Sequence, residues 1–260
     1  MCYYRSMLID THIHLNRLPP GCDVEAELAA ARREGITTFL VPGVDRAGWR
    51  DVRAVVERTE GGLAAYGLHP LAAHQWNGAC REELIASLGG PKVVAVGEIG
   101  LDRFVDVPVV VQEQAFREQV RLAVSLSLPV LIHCRKMPGR LLEILAEENA
   151  GQVGGIMHAF GGSLPTAKKA MTLGFALSFG GTITYPEARR AIRVLEQLPP
   201  EAIVIETDAP DLAPHPHRRE VNRAVWLDLV LRRLAEVRGW SFEEAAAITT
   251  ANARRVLNLD

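Results

Sequence analysis

Residues 129–158 read PVLIHCRKMPGRLLEILAEENAGQVGGIMH, and this stretch sets the fold. It opens on a short apolar run, Pro129–His133, and passes through an amphipathic segment, Gly139–Glu148. It closes on a second apolar run, Gly154–His158. Strand, helix and strand in about thirty residues is the repeating unit of a parallel sheet. Working outward, the same alternation recurs along the chain. Apolar runs lie at Leu8–Ile13, Ile36–Val41, Leu63–Gly67, Lys92–Val96, Phe175–Phe179 and Ala202–Glu206, making eight in all. Helical segments separate them: Val24–Glu34, Ala47–Thr59, Glu82–Leu88, Gln112–Ser125, Leu164–Leu173 and Pro186–Gln197, with Asn222–Arg238 and Phe242–Asn252 after the last. Eight buried strands alternating with helices imply parallel pairing with helices outside. The count favours a closed (β/α)₈ TIM barrel over an open doubly wound sheet. The length of 260 residues fits a barrel of about 250. No Pro-, Gly- or Ser-rich linker divides the chain, so residues 1–260 read as one domain.

Composition excludes several classes. Hydrophobic residues are 48% and charged residues 23%, as in ordinary globular proteins and unlike disordered, collagenous or coiled-coil chains. The formal net charge of −2 argues against a broad basic face that wraps duplex nucleic acid. No apolar run approaches the ~18 residues of a membrane span, and the first residues lack the apolar stretch of a signal peptide. Cys2, Cys22, Cys80 and Cys134 form no C-x-x-C pair, which points to reduced thiols and a cytoplasmic location. A monomer is expected.

Barrel chemistry sits at the C-terminal ends of strands, and the polar residues gather there. The first run ends Asp10-Thr11-His12-Ile13-His14, and alternation puts Asp10, His12 and His14 on one face. Two imidazoles so placed can chelate a metal, or simply stand exposed at a strand edge. Glu98 follows a run of valines, where a buried carboxylate needs either a salt bridge or a metal. His133 and Arg135 share a face at the end of the fifth run. His158 ends the sixth, Glu206 and Asp208 share a face at the eighth, and His69 follows the third. Of eight histidines, His12, His14, His69, His133 and His158 fall at predicted strand ends. His74, His215 and His217 lie in loops. A mouth rich in histidines and carboxylates has the composition of a catalytic divalent-metal site.

These segments resemble the TatD-type metal-dependent deoxyribonucleases of the amidohydrolase superfamily. The resemblance is carried by IDTHIHL (9–15), GLHP (67–70), VGEIGLD (96–102), IHCR (132–135), MHAFGGS (157–163) and ETDAP (206–210), and it extends to TTANARRVLNL (249–259). SFGGTITYPEA (178–188) is similar to a less characterised branch of the family. The resemblance implies a (β/α)₈ barrel holding two divalent metal ions, zinc, manganese or magnesium. His12 and His14 with Glu98 and Asp208 would hold the first. Glu98 would bridge to the second, completed by His133 and His158. Asp208 and Glu98 would be catalytic, with Asp208 orienting or deprotonating the attacking water. Glu206 and Asp10 would stand behind the ligands. His69 would line the substrate pocket, and Arg135, with Lys136 and Arg103, would meet a phosphate.

The implied activity is hydrolysis of a phosphodiester, in the manner of a 3'-5' exonuclease on single-stranded DNA ends. A low net charge suits trimming of ends better than processive duplex cleavage. Arg218, Arg219 and Arg223 could extend the grip, or could form a solvated helix start. The rim departs from the family pattern. Asn222 is followed by Arg223 and Ala224 with no proline, Arg103 precedes Phe104, and Lys136 stands where an acid is common. The alternative is therefore an amidohydrolase-type ester or lactone hydrolase, for example a D-aminoacyl-tRNA deacylase, on the same metal site.

Overall fold

A computed structural model describes residues 7–259; Cys2 lies outside the described residues. The eight strands are β1 (Leu8–Asp10), β2 (Ile36–Pro42), β3 (Gly62–Tyr66), β4 (Val93–Asp102), β5 (Val130–Arg135), β6 (Gly155–Met157), β7 (Phe175–Phe179) and β8 (Ile203–Ile205). They form one parallel sheet in sequence order. Helices α1 (Val24–Arg33), α2 (Trp49–Arg58), α3 (Gly78–Leu88), α4 (Val109–Leu126), α5 (Pro138–Glu147), α6 (Leu164–Thr172), α7 (Arg189–Leu195), α8 (Leu227–Arg238) and α9 (Phe242–Val256) alternate with or follow them. Local chemistry sets several starts. Asp23, Asn77, Ser163 and Ser241 each accept backbone N–H groups at the N-termini of α1, α3, α6 and α9. Among the described residues, no helix is long and apolar enough to cross a membrane.

Each strand gives one side chain to a sealed interior layer: Ile9, Leu40, Ala65, Ala95, Leu131, Ile156, Ala176 and Val204. Ala253, Val256 and Leu257 from the end of α9 belong to the same cluster and plug the barrel floor. Asn252 fixes that plug by donating to the Pro200 and Ile203 carbonyls at 2.7 and 2.8 Å. Two residues further along most strands the same face turns polar, with Thr11, His133, His158, Ser178 and Glu206. The apolar layer is thus the floor beneath the mouth.

Two strands differ from the sequence reading, and both differences shape the mouth. β4 runs to Asp102 instead of stopping at Val96, with a register shift between Gly97 and Ile99. Val96, Ile99 and Leu101 pack in the outer core, whereas Ala95 is in the interior layer. The side-chain phase therefore slips by one residue, as at a bulge, and the slip turns Glu98 inward. β1 ends at Asp10, so His12 and His14 lie on an irregular extension beyond the ladder.

Asp10 consequently does not share the histidines' face. Its carboxylate is buried in the seam between the first and last strands. Asp10 Oδ1 accepts from Thr207 N at 3.0 Å and His12 N at 3.2 Å, and Oδ2 accepts from the Thr207 hydroxyl at 2.6 Å. Main-chain bonds close the same seam: Thr11 N to Ile205 O at 3.1 Å, Asp208 N to His12 O at 2.9 Å and His14 N to Ala209 O at 2.8 Å. Asp10→Ala would orphan two buried N–H groups there. It is expected to lower the unfolding free energy in urea by about 3 kcal/mol, and Asp10→Asn, which keeps Oδ1, by about 1 kcal/mol. Equal denaturation midpoints for wild type and Asp10→Ala would show that the seam does not depend on this carboxylate.

Candidate metal centre

The irregular extension after β1 carries His12 and His14, and their Nε2 atoms face each other at 3.2 Å. Glu98 Oε2 stands 3.4 and 3.9 Å from these two nitrogens, and Asp208 Oδ1 stands 3.7 and 3.5 Å from them. Four ligand-type atoms converge on one point. Burial and the neighbouring His12 hold His14 well below the usual imidazole range, which leaves its ring neutral. Burial pushes the Glu98 carboxyl up, but the imidazoles of His12 and His69 and hydrogen bonds from His12 and His133 outweigh it. Glu98 stays well below the usual carboxylate range and ionised. Converging lone pairs and negative charge need a cation between them. Ligand atoms about 2.1 Å from an ion stand about 3.4 Å apart in a tetrahedron, and the five distances cluster around that spacing. This group fits a divalent metal.

The second oxygen of Glu98 turns the other way. Glu98 Oε1 stands 3.0 Å from His133 Nδ1 and 3.9 Å from both His158 Nε2 and His69 Nε2. His158 Nε2 is also 3.9 Å from Asp208 Oδ2. His133 is oriented by Asp102, whose Oδ2 lies 3.1 Å from His133 Nε2; to hold a metal it would keep that proton and give up the one on Nδ1 that it shares with Glu98. His158 is oriented by Glu206, whose Oε1 lies 2.9 Å from His158 Nδ1 and accepts from Ala159 N at 2.8 Å. His69 differs from the other four histidines. Its Nδ1 accepts from Leu71 N at 3.1 Å, so a neutral His69 carries its proton on Nε2 and presents a donor to the mouth. Burial holds His69 down to about 4, which keeps it neutral.

Asp208 has a left-handed backbone, φ 60°, a conformation that costs a non-glycine residue energy and clusters at functional sites. Burial pushes its carboxyl up to about 6 against the pull of His158 and His12. The turn that carries it is tied down by Asn222, whose side-chain amide donates to Thr207 O at 2.7 Å and Asp211 O at 2.6 Å.

The expected cationic rim is only partly assembled. Arg135 and Lys136 line a cavity beside His158. Arg103 does not join that wall. Its side chain is exposed, and its main-chain N–H donates to Arg135 O at 3.0 Å. Arg223 is engaged by the buried Glu27 at 2.9 Å, and Arg218 by Glu187 and the Tyr185 ring, so these two are bound up in intramolecular contacts. Asp102, Asn222 and Thr207 carry structural duties that sequence reading did not assign. Asp102 had a signal: it lies four residues after Glu98 on one strand, hence on the same face.

Imidazoles and carboxylates that converge at the chemistry-bearing end of a parallel barrel define a metal-dependent hydrolase. Comparison with known proteins gives the family. The profile of the TatD related DNases matches residues 9–258, and the chain belongs to that family. It is 38% identical over 258 residues to the metal-dependent hydrolase YabD of Bacillus subtilis, covering 98% of this chain and all of that one. It is 35% identical over 244 residues to the 3'-5' ssDNA/RNA exonuclease TatD of Cronobacter sakazakii, covering 90% and 91%. The crystal structure of the TatD homologue YjjV from Escherichia coli superposes with a TM-score of 0.92 at 34% identity, covering 98% and 99% of the two chains.

Protonation gives a direct test of the ligand set. Burial pulls His158 down, but Glu206, Asp208 and Glu98 outweigh it and push it up to about 10. Without metal, His158 therefore carries a proton at pH 8. Ligation needs the neutral ring, so zinc or manganese uptake at pH 8 is expected to release about one proton here. Calorimetry in buffers of different ionisation enthalpy reads that release, which should shrink in His158→Asn. Uptake without proton release would remove His158 from the ligand set.

Proposed function

We propose that this hydrolase cleaves phosphodiesters, removing nucleotides from the 3' end of single-stranded DNA, with two divalent ions at the barrel mouth. The observation that carries the reading is the division of Glu98. One oxygen faces His12, His14 and Asp208, and the other faces His133 and His158. A carboxylate shared in this way suits a pair of ions. Two divalent ions against Glu98 and Asp208 leave a net charge near +2, which favours an anionic substrate in a partly dry mouth. The Cronobacter relative named as a 3'-5' ssDNA/RNA exonuclease supports the same substrate class. Four imidazoles in the ligand set favour zinc or manganese over magnesium.

When bound, the ions supply the positive charge that polarises a phosphoryl oxygen and eases ionisation of water. The protein's own groups do the rest. Asp208, with its carboxyl raised to about 6, accepts the proton of the water that attacks phosphorus. The new P–O bond forms as the P–O3' bond breaks, and the proton passes on to the leaving 3'-oxygen. His69 donates from Nε2 to the phosphoryl group, and Arg135 and Lys136 balance its charge. Asp102 and Glu206 hold His133 and His158 in register. Unpaired thiols at Cys22, Cys80 and Cys134 fit a reducing cytoplasmic setting.

A 5'-labelled single-stranded DNA oligonucleotide should yield a ladder of products shortened from the 3' end with manganese or zinc. Asp208→Asn and Glu98→Gln should each lower kcat by about 10³-fold or more. Intact oligonucleotide after incubation with metal-loaded wild type would move the substrate to an ester or lactone on the same centre.

A further inference from the structure

One cavity beside the metal centre, of about 350 Å³, carries one cation more than the proposed reaction uses, Arg190. Its wall runs from His158 through Phe160, Gly161 and Gly162 to Arg135 and Lys136, and Arg190 of α7 closes it. Several arginines elsewhere meet a carboxylate: Arg117 and Arg121 pair with Glu148, Arg140 with Glu113 and Arg223 with Glu27. Arg135, Lys136 and Arg190 have no ion-pair partner among the described residues, and no carboxylate lines the cavity. Arg135 lies over the Phe104 ring at 4.7 Å, and the nearby Asp102 carboxylate, which feels its charge, is engaged by His133. Lys136 is held at φ 62°, a left-handed backbone that an L-residue adopts at a cost. The Gly161 and Gly162 N–H groups, just before the Ser163 cap of α6, donate to no described residue.

Three cations without an ion-pair contact, beside free backbone donors, make an anion site. An internal phosphodiester carries one charge, which the metal centre with Arg135 and Lys136 meets, so Arg190 is in excess of what the scissile phosphate needs. A phosphomonoester carries about −1.5 to −2 at neutral pH. The cavity's volume is at the small end of ligand sites, which run from about 300 to 1,000 Å³. A cavity of this size suits the last nucleotide of a strand. We propose that this cavity is the subsite for a terminal phosphate, and that the preferred substrate is a strand end bearing a 3'-phosphate, with Arg190 as the residue that reads it. The proposal rests on the phosphodiester reading above. In it, water adds to the penultimate phosphorus, the P–O3' bond breaks, and the released nucleoside keeps both its 5'- and its 3'-phosphate.

The test compares two 5'-labelled single-stranded oligonucleotides that differ only in a 3'-phosphate or a 3'-hydroxyl. Wild type is expected to favour the phosphorylated end by about tenfold or more in kcat/KM. That ratio should fall to near one in Arg190→Ala and recover in part in Arg190→Lys. A readout independent of turnover is calorimetric binding of adenosine 3',5'-bisphosphate against adenosine 5'-monophosphate. The bisphosphate should bind about tenfold tighter to wild type and lose that advantage in Arg190→Ala. Equal cleavage of both ends with equal binding of both nucleotides overturns the subsite and leaves the nuclease reading standing. Arg190-dependent binding of the bisphosphate with neither oligonucleotide cut overturns the nuclease reading and supports the subsite.

Discussion

The site depends on one carboxylate being in an unfavourable place. Glu98 is 3% exposed, at the top of an apolar strand, and burying an ionised carboxylate unpaired costs several kcal/mol. Five histidines stand within 3.9 Å of it, and its two oxygens divide them into two groups. That division exists because β4 slips phase at Gly97. A regular strand would put residue 98 among the outer helices, with Val96. A one-residue irregularity thus decides which residues of four other strands have a common partner.

Much of this was legible in the sequence, and what was not has a physical cause. Apolar runs bounded by helices located all eight strands, because each strand is buried on both faces and reads as a continuous apolar block. The histidines that converge on Glu98 were legible because a polar ring at the end of such a block has few other reasons to be there. Strand phase was less legible. Strict alternation put Asp10 beside His12 and His14, but β1 ends at Asp10 and the carboxylate turns to Thr207 in the seam. Asp102 was overlooked because β4 continues past its glycines, which read as a strand end. Arg190 gave no signal at all. It lies on a short helix far along the chain from Arg135 and Lys136, and only the winding of the barrel brings them to one cavity.

Charge is distributed economically around the mouth. On the helical exterior, arginines and glutamates neutralise each other, which keeps the surface free of a broad field. Inside the mouth, carboxylates are spent on imidazoles: Asp102 on His133 and Glu206 on His158. The cavity beside His158 has cations on its wall and no carboxylate among its lining residues. A chain with a net charge of −2 can therefore still present a strongly positive cavity to an anion, since the field is made locally and not by the whole surface.

The Asp10–Thr207 seam also has a consequence for the order of synthesis. Its partners are 197 residues apart, and the first ligand group draws on both sides of it, His12 and His14 from one and Asp208 from the other. A nascent chain that has emerged only through β7 has the two histidines and Glu98 but not Asp208, and its barrel has neither the closing strand nor the α9 plug. Domains generally complete their packing as units. The two sides of this group therefore come together only once β8 has been made, and a chain that stops at β7 lacks both Asp208 and the seam.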